Sequence, residues 1–227
     1  MNRPLLILGT GGKVYELLDI IEAINAITPT WKVVGFLDDA RPPGSRHCDL
    51  GILGTLSDAY RFPQYTFVNA IGNEKNYAQL PEILGKTGLK PERFATLVHP
   101  AAAVSARVSL GHGVTINHGV TISGGVTIGN HVTFCPGCIV GHDTTIEEYS
   151  ILAPGATISG FVHLGRSCYI GAGAMIRQDI AIGDRALVGM GAVVVRAVHS
   201  DSVVVGNPAH YLRSTFHSAT TREASQV

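Results

Sequence analysis

The sequence has no excess of either charge, since lysine plus arginine number 17 and aspartate plus glutamate also number 17. Without a surplus, no overall field favours nucleic acid or an anionic membrane surface as a partner. Long apolar runs are also missing, and no stretch approaches the roughly 20 residues of a membrane-spanning helix. The apolar run at residues 4–9 is too short for a signal-peptide core. We therefore expect a cytoplasmic protein with neither nucleic acid nor membrane as a partner.

Cysteines and aromatic residues are scarce. The four cysteines have no disulfide-framework spacing, and aromatic residues make up only 7% of the chain. Cys135 and Cys138 form a lone CxxC, but a structural zinc site needs more ligands at close spacing, so packing is the better interpretation. Glycine is abundant instead, with 27 residues, which is typical of a turn-rich β protein.

A six-residue repeat occupies residues 104–194. Counting in sixes from Val104 to Val194 gives 16 positions, all aliphatic except Phe134. A second series of small residues lies two positions earlier, and glycines recur one and three positions later. A period of six is typical of a solenoid. It predicts a parallel β-helix in which each hexad is a short strand plus a corner and three hexads close one coil. The spacing does not define the handedness.

The region before the repeat alternates strands with helices. Strands are predicted at 4–9, 31–39 and 66–73, with helices at 13–26 and 77–86. This order predicts a small, Rossmann-like parallel α/β sheet. We expect an α/β domain at 1–95, a β-helix domain at 96–212 with a linker near 90–100, and a disordered tail at 213–227.

Small and polar residues follow the predicted strands of the first domain. The Gly9-x-Gly11 turn lacks the third glycine of a dinucleotide site, because Val14 occupies that position, so a nicotinamide site is not expected. The turn can still offer backbone N–H groups to a phosphate at a helix N-terminus. Tight turns and strand-end polar residues are the alternative. The candidate substrate-binding residues are Gly11, Gly12, Asp38, Asp39, Gly72 and Asn73.

His142 and Asp143 form the sharpest candidate for chemistry. In an 18-residue coil, His142 stacks between Gly124 and Gly160, which carry no side chain. The imidazole therefore has room on both sides, and the adjacent aspartate could bond one ring nitrogen and leave the other as a base. From the residues alone, a base and an exposed corner histidine both remain open.

Three further histidines suggest a rival metal site. Some β-helix enzymes hold zinc with three histidines between subunits, and His112, His118 and His131 could be such a set. Their separations put them on different corners or coils, so exposed corner histidines are the better interpretation. We expect no metal site.

The chain resembles the left-handed β-helix, or hexapeptide-repeat, acyltransferases. It is most similar to the branch of nucleotide-4-amino-sugar N-acetyltransferases and sialic acid O-acetyltransferases. The resemblance extends from LILGTGG through FLDD, AIGN and LVHP to the hexads and VVVGNPA. It implies a left-handed helix, a homotrimer with active sites between subunits, acetyl-CoA as co-substrate, and no permanently bound cofactor.

The resemblance also implies roles for single residues. His142 would be the general base, Asp143 would orient it, and a backbone N–H near Gly160 would stabilise the oxyanion. The pantetheine arm would lie against Ala172, Gly173, Gly189 and Met190, and the nucleotide against the first turn. Three positions differ from the family pattern: the Gly-His-Gly-Lys turn is shortened to Gly11-Gly12-Lys13, Cys135 replaces an asparagine, and Ile151 replaces a histidine.

Acetylation of a nucleotide-linked amino sugar for surface glycan synthesis is the function that the resemblance favours. Three alternatives remain open at this point. They are O-acetylation of a sugar such as sialic acid by the same base, a non-catalytic β-helix scaffold that binds a nucleotide, and a zinc hydratase.

Overall fold

The computed structural model describes residues 2–215, which form an α/β domain followed by a parallel β-helix. The predicted start of a disordered tail at 213 is wrong, because Arg213 and Ser214 belong to a final strand that pairs with Ser202–Val205. The rest of the predicted tail, from 216 onward, lies outside the described residues. No helix within residues 2–215 is long and apolar enough to cross a membrane.

The α/β domain is a five-stranded sheet with the order β3-β4-β2-β1-β5. Its strands β1, β2 and β5 are parallel neighbours, so their carboxyl ends meet at one edge. The hairpin β3-β4 and the turn that follows it were not predicted from the sequence. The elements are β1 Arg3–Leu8, α1 Lys13–Ile27, β2 Trp31–Leu37, β3 Arg46–His47, β4 Leu50–Gly54, β5 Thr66–Asn69 and α2 Leu80–Gly85, with 3-10 turns at Leu56–Arg61, Tyr77–Gln79 and Pro91–Arg93.

Apolar residues on alternate sides of β1 explain the layering of this domain. Leu5 and Ile7 are fully buried against the apolar side of α1, whereas Leu6 and Leu8 are buried in a second cluster on the opposite side. A strand that is apolar on both sides belongs in the middle of a covered parallel sheet. β1 is therefore an interior strand, between β2 and β5, and is covered on both sides of the sheet.

The β-helix is a three-sided prism, as the period of six predicts. We call its sides the docked face, the second face and the third face. The docked face contains Leu97–Val98, Thr115–Ile116, Thr133–Phe134, Ile151–Leu152, Tyr169–Ile170, Leu187–Val188, Ser202–Val205 and His210–Ser214. The second face contains Ala103–Val104, Thr121–Ile122, Ile139–Val140, Thr157–Ile158, Met175–Ile176 and Val193–Val194. The third face contains Ser109–Leu110, Thr127–Ile128, Thr145–Ile146, His163–Leu164 and Ala181–Ile182.

Each strand of the prism directs one aliphatic side chain inward. Ile122, Val140 and Ile158 are typical, with at most 1% of each residue exposed, and they stack in successive coils of one core. Burial of each such side chain contributes about 1.5–3 kcal/mol. The repetition of this contact through the prism explains why six-residue spacing is maintained without interruption.

The prism begins one hexad before the repeat counted from Val104, and no extended linker precedes it. Leu97–Val98 pairs with Thr115–Ile116 as the first strand of the docked face. Just before it, Phe94 is buried, bridges to Phe67 of β5 and packs edge-on against His131 of the prism. This buried aromatic contact replaces a flexible connection between the two parts.

Candidate functional site

His142 and Asp143 lie on the corner between the second and third faces, which we call the histidine corner. The turn that carries them connects Ile139–Val140 to Thr145–Ile146. Asp143 has a φ of 54°, a conformation that aspartate tolerates better than most residues. The tight left-handed turn places the Asp143 carboxylate beside the ring of the preceding residue.

The imidazole of His142 has three close neighbours. Its Nδ1 lies 2.9 Å from Oδ2 of Asp143. The ring of Phe161, in the next coil, packs edge-on against it with the ring centres 5.0 Å apart. A Cβ on Gly160 would stand 3.1 Å from Nε2, so the ring occupies the space that glycine leaves. With Nδ1 engaged and 60% of the side chain exposed, Nε2 is the nitrogen that can exchange a proton with a ligand.

A second candidate region is a crevice of about 1050 Å³ between the α/β domain and the prism. It lies at the carboxyl ends of β1, β2 and β5, where parallel α/β sheets bind ligands. Its size is in the range of small-molecule sites. All six residues selected from the sequence line it together: Gly11, Gly12, Asp38, Asp39, Gly72 and Asn73.

The polar residues of this group already have partners within the chain. Asp38 is buried and accepts hydrogen bonds from the Thr10 hydroxyl at 2.8 Å and from the backbone N–H groups of Ala40 and Arg41. Asp39 accepts a hydrogen bond from Leu56 N–H and pairs with Lys86 at 3.0 Å. These contacts shape the wall of the crevice.

Asn73 also forms hydrogen bonds with neighbouring residues of its own loop. Its side-chain oxygen accepts a hydrogen bond from Lys75 N–H, and its backbone N–H donates to the side chain of Asn76. Gly72, with a φ of 126°, allows the preceding turn. A Cβ there would lie 2.7 Å from Cδ1 of Ile151, so glycine also permits the close approach of the prism.

Sequence reasoning missed the contribution of the prism to the crevice. The lining includes Cys135, Ile151, Ala153, Pro154 and Tyr169 from the docked face and an adjacent corner. These residues belong to the repeat, and nothing in their spacing indicates which face the other domain covers. Lys13, whose Nζ is out of contact with solvent, was also missed as a lining residue.

The candidate acetyl-CoA residues divide between two corners. Gly160 lies against His142, whereas Ala172, Gly173, Gly189 and Met190 lie between the docked and second faces, on what we call the glycine corner. At Gly173 a Cβ would meet nothing within 4 Å, and Met190 is 78% exposed. The glycine corner is therefore open to a ligand or to another molecule.

The histidine corner and the crevice do not meet within one copy. The α/β domain packs on the docked face through Tyr77 and Leu80, which contact Ile151. In a three-sided prism, the histidine corner is the edge opposite the docked face. His142 and the residues around Gly11 therefore lie on opposite sides of the chain.

The three histidines of the rival zinc site do not converge. His131 is buried between Phe94 and Tyr149, and burial lowers its pKa to about 4, with the charge of His112 as a second cause. His118 lies on the glycine corner beside His99. Across residues 2–215, no three histidine, cysteine, aspartate or glutamate side chains are grouped so as to hold a metal ion.

The two cysteines of the CxxC motif have different surroundings. Cys138 is fully buried in the prism core, and its Sγ donates to the carbonyl of Ala153 at 3.2 Å. Cys135 lines the crevice, and burial raises the pKa of its thiol to about 11. Both are neutral thiols at physiological pH.

Comparison with family models gives two matches. The model described as bacterial transferase hexapeptide (six repeats) matches residues 125–160 and 161–196. The model described as PglD N-terminal domain matches residues 4–82. None of the curated proteins matches the chain.

Solved structures extend the likeness over nearly the whole chain. The acetyltransferase domain of PglB from Neisseria gonorrhoeae, in complex with acetyl coenzyme A, is 29% identical with a TM-score of 0.78, over 93% of this chain and 100% of that one. A mutant perosamine N-acetyltransferase from Caulobacter crescentus, in complex with CoA and GDP-perosamine, is 26% identical with a TM-score of 0.78, over 93% and 97%. WeeI from Acinetobacter baumannii is 26% identical with a TM-score of 0.78, over 93% and 100%. These matches confirm the expected fold class, an α/β domain followed by a left-handed parallel β-helix.

Proposed function

Because the chain belongs to the hexapeptide-repeat, left-handed β-helix acyltransferases, in the nucleotide-sugar acetyltransferase branch, we propose that it acetylates the amine of a nucleotide-linked sugar. It is an acetyltransferase, and acetyl-CoA is its co-substrate. The perosamine enzyme, solved with GDP-perosamine, favours an amine as the acceptor. A sugar on a nucleoside diphosphate is activated for glycosyl transfer, so we propose that the product is used to build a surface glycan.

The contact between His142 and Asp143 is the observation that carries the mechanism. Asp143 holds Nδ1 as the protonated nitrogen, which leaves Nε2 as a base toward Gly160. The sugar amine attacks the thioester carbonyl carbon while Nε2 accepts the amine proton. The tetrahedral oxyanion is stabilised by the N–H of Gly160. Its collapse breaks the carbon–sulfur bond, and the CoA thiolate takes the proton from His142. No acyl-enzyme forms.

We propose that each active site is built from two copies in a homotrimer. Within one copy the base faces away from the crevice, so an acceptor in that crevice needs the histidine corner of a neighbour. Exposed apolar side chains support contact between copies. They lie on the second face and at its two corners: Ile139, Phe161, Met175 and Met190, each 47–78% exposed. Large apolar side chains exposed on one side of a protein favour an interface there.

The proposed function is tested by the release of CoA thiol with a panel of nucleotide-linked amino sugars and their hydroxy counterparts. We expect turnover with an amino sugar and little with the hydroxy sugar. The variant His142→Ala should lose most of the turnover while its sedimentation remains that of a trimer. Near-normal turnover in this variant would remove His142 as the base, and preference for the hydroxy sugar would replace N-acetylation with O-acetylation.

A further inference from the structure

A small polar cavity lies beside the large crevice, at the junction of the α/β domain and the prism. It offers about 10 Å³ of room to a water molecule, which is the space that one ordered water needs. Asn69, Thr115, Asn117 and Thr133 of its lining are all buried, with 2–6% of each residue exposed. Cavities with polar walls hold water, whereas apolar cavities stay dry. The lining of this cavity therefore suits a polar occupant.

Lys13 contributes a buried amine to this junction. The residue lines the small cavity as well as the crevice. Its Nζ atom is out of contact with solvent and has no hydrogen-bond partner among the residues that the structure describes. A buried ammonium group is costly unless other groups accept its hydrogen bonds and balance its charge. An acceptor in the cavity would meet the first of these needs.

Glu16 contributes the opposite charge to the same cavity, one turn further along α1. Its Oε2 accepts a hydrogen bond from the side-chain amide of Asn117 at 3.3 Å, and a carboxylate can accept several more. Burial lowers the pKa of Lys13 from 10.5 to about 8, and the negative charge of Glu16 opposes that fall. The two charges therefore influence each other, although the amine donates no hydrogen bond to the carboxylate.

The charges around the cavity favour a neutral occupant. A metal ion would be repelled by the ammonium group of Lys13, and an anion would be repelled by the carboxylate of Glu16. Water can accept a hydrogen bond from an ammonium group and donate one to a carboxylate at the same time. Polar groups that are too far apart for a direct hydrogen bond are commonly joined in this way.

We propose that the small cavity binds one structural water molecule, which accepts a hydrogen bond from Nζ of Lys13 and donates one to the carboxylate of Glu16. Because Glu16 is also bonded to Asn117, the bridge joins α1 to the prism. Glu16 is then a positioning residue, which acts on Lys13 through the water. The bridge holds the first turn of α1 against the prism and so defines the floor of the crevice, whatever reaction the crevice serves.

A high-resolution crystal structure of the full chain tests the water directly. We expect one peak of density in the cavity, within about 3.2 Å of Nζ of Lys13 and of a carboxylate oxygen of Glu16. The peak should be absent from crystals of Lys13→Met and present in those of Lys32→Met, the matched control at an exposed position of β2. A direct contact between the two charges, a cavity without density, or a peak that persists in Lys13→Met would overturn the proposal.

Replacement of both charges tests whether they are linked. Glu16→Gln should lower the melting temperature of the wild type by several degrees, because the ammonium group loses its counter-charge. In the Lys13→Met background the same change should have little effect, because no ammonium group remains. Glu22→Gln is the matched control, since Glu22 is exposed on the same helix and should have little effect in either background. Equal decreases from Glu16→Gln in the two backgrounds, at constant protein concentration, would overturn the bridge.

The titration of the Lys13 amine is a readout that a purely structural role of Glu16 would not change. Glu16→Gln should lower the pKa of Lys13 below about 8, because glutamine keeps the size and hydrogen bonding of the side chain but not its charge. Glu22→Gln should leave this pKa unchanged. Nuclear magnetic resonance of isotope-labelled lysine, assigned with Lys13→Met, measures it. The same pKa in Glu16→Gln and the wild type would remove Glu16 as the positioning residue and leave the acetyltransferase proposal intact, because no substrate is present.

Discussion

The imidazole of His142 rests against the backbone of Gly160, one coil further along the prism. A Cβ at Gly160 would stand 3.0 Å from Cε1 and 3.1 Å from Nε2 of the ring. Gly160 does not have a positive φ, so its backbone does not require glycine. Glycine is required here because a side chain would occupy the space of the imidazole. The position of the proposed base depends on a missing side chain in another coil.

Gly160→Ala should reduce activity without unfolding the protein. The new methyl group displaces the imidazole, and a misplacement of about 1 Å can lower turnover roughly 100-fold. CoA release and the melting temperature measure the two effects. Gly124→Ala is the control on the same corner, because the nearest atoms to its Cβ would belong to Ser105 and Arg107, at ordinary contact distances of 3.4 and 3.7 Å. Equal activity in the two variants would argue against a catalytic ring at this position.

Asp143→Asn should lower turnover while the corner keeps its shape. Asparagine tolerates the positive φ of this turn, but its amide can donate to Nδ1 and so favour the wrong tautomer. We expect a loss of about 100-fold or more, measured as kcat for CoA release. Asp179→Asn is a matched control, since Asp179 is exposed and has a φ of 58° on the same corner two coils away. A comparable loss in both variants would assign the effect to the turn.

Mixed trimers should recover activity that two inactive variants lack. His142→Ala removes the base, and Gly12→Asp places a carboxylate in open space beside the glycine turn, where it repels a phosphate. If the base and the crevice come from different copies, every trimer that contains both variants has one complete site, so about one third of the sites in the purified mixed trimers are restored. Co-expression with two affinity tags and a CoA-release assay of the doubly purified trimer tests this. Inactive mixed trimers would restrict the reaction to a single copy.

The stability of the fold should decrease in mild acid because of His131. Burial lowers its pKa from 6.5 to about 4 in the folded chain. Between these values the unfolded chain binds the proton and the folded chain does not, so the stabilisation is complete above pH 6.5 and declines as the pH falls toward 4. The shift corresponds to a loss of about 3 kcal/mol in the free energy of unfolding.

Urea unfolding from pH 7.5 to 4.5, at constant protein concentration, measures that decline. His131→Asn should flatten the dependence on pH, and asparagine suits the positive φ of 59° at this position. His163→Asn, at an exposed position on the third face, should retain it. The same slope in the wild type and His131→Asn would assign the acid sensitivity to another group.

The prism could be derived from the sequence because its signal is local and repeated. Each inward position is occupied by one aliphatic residue that can be read from the sequence. Counting back by six from Val104 reaches Val98, which belongs to the first strand of the prism. The same arithmetic stacked His142 between Gly124 and Gly160. The period and register therefore suffice to predict which residues are neighbours wherever those neighbours are separated by a fixed number of residues.

The crevice could be derived only in part. Turns that follow buried strands identified Gly11, Asp38 and Gly72, because parallel strands bring their carboxyl ends together. Lys13 and Cys135 line the same crevice because the first domain covers the docked face of the prism. Docking of two packed surfaces leaves no periodic trace in either sequence.

The last strand of the docked face also affects how copies of the chain can add to one another. His210–Ser214 runs antiparallel to Ser202–Val205, whereas every earlier ladder on this face is parallel. A register shift at Val203–Val204 further disturbs the edge. A second chain that approached this end with its own first coil could not continue the parallel ladder of this face, which disfavours end-to-end growth into a fibril.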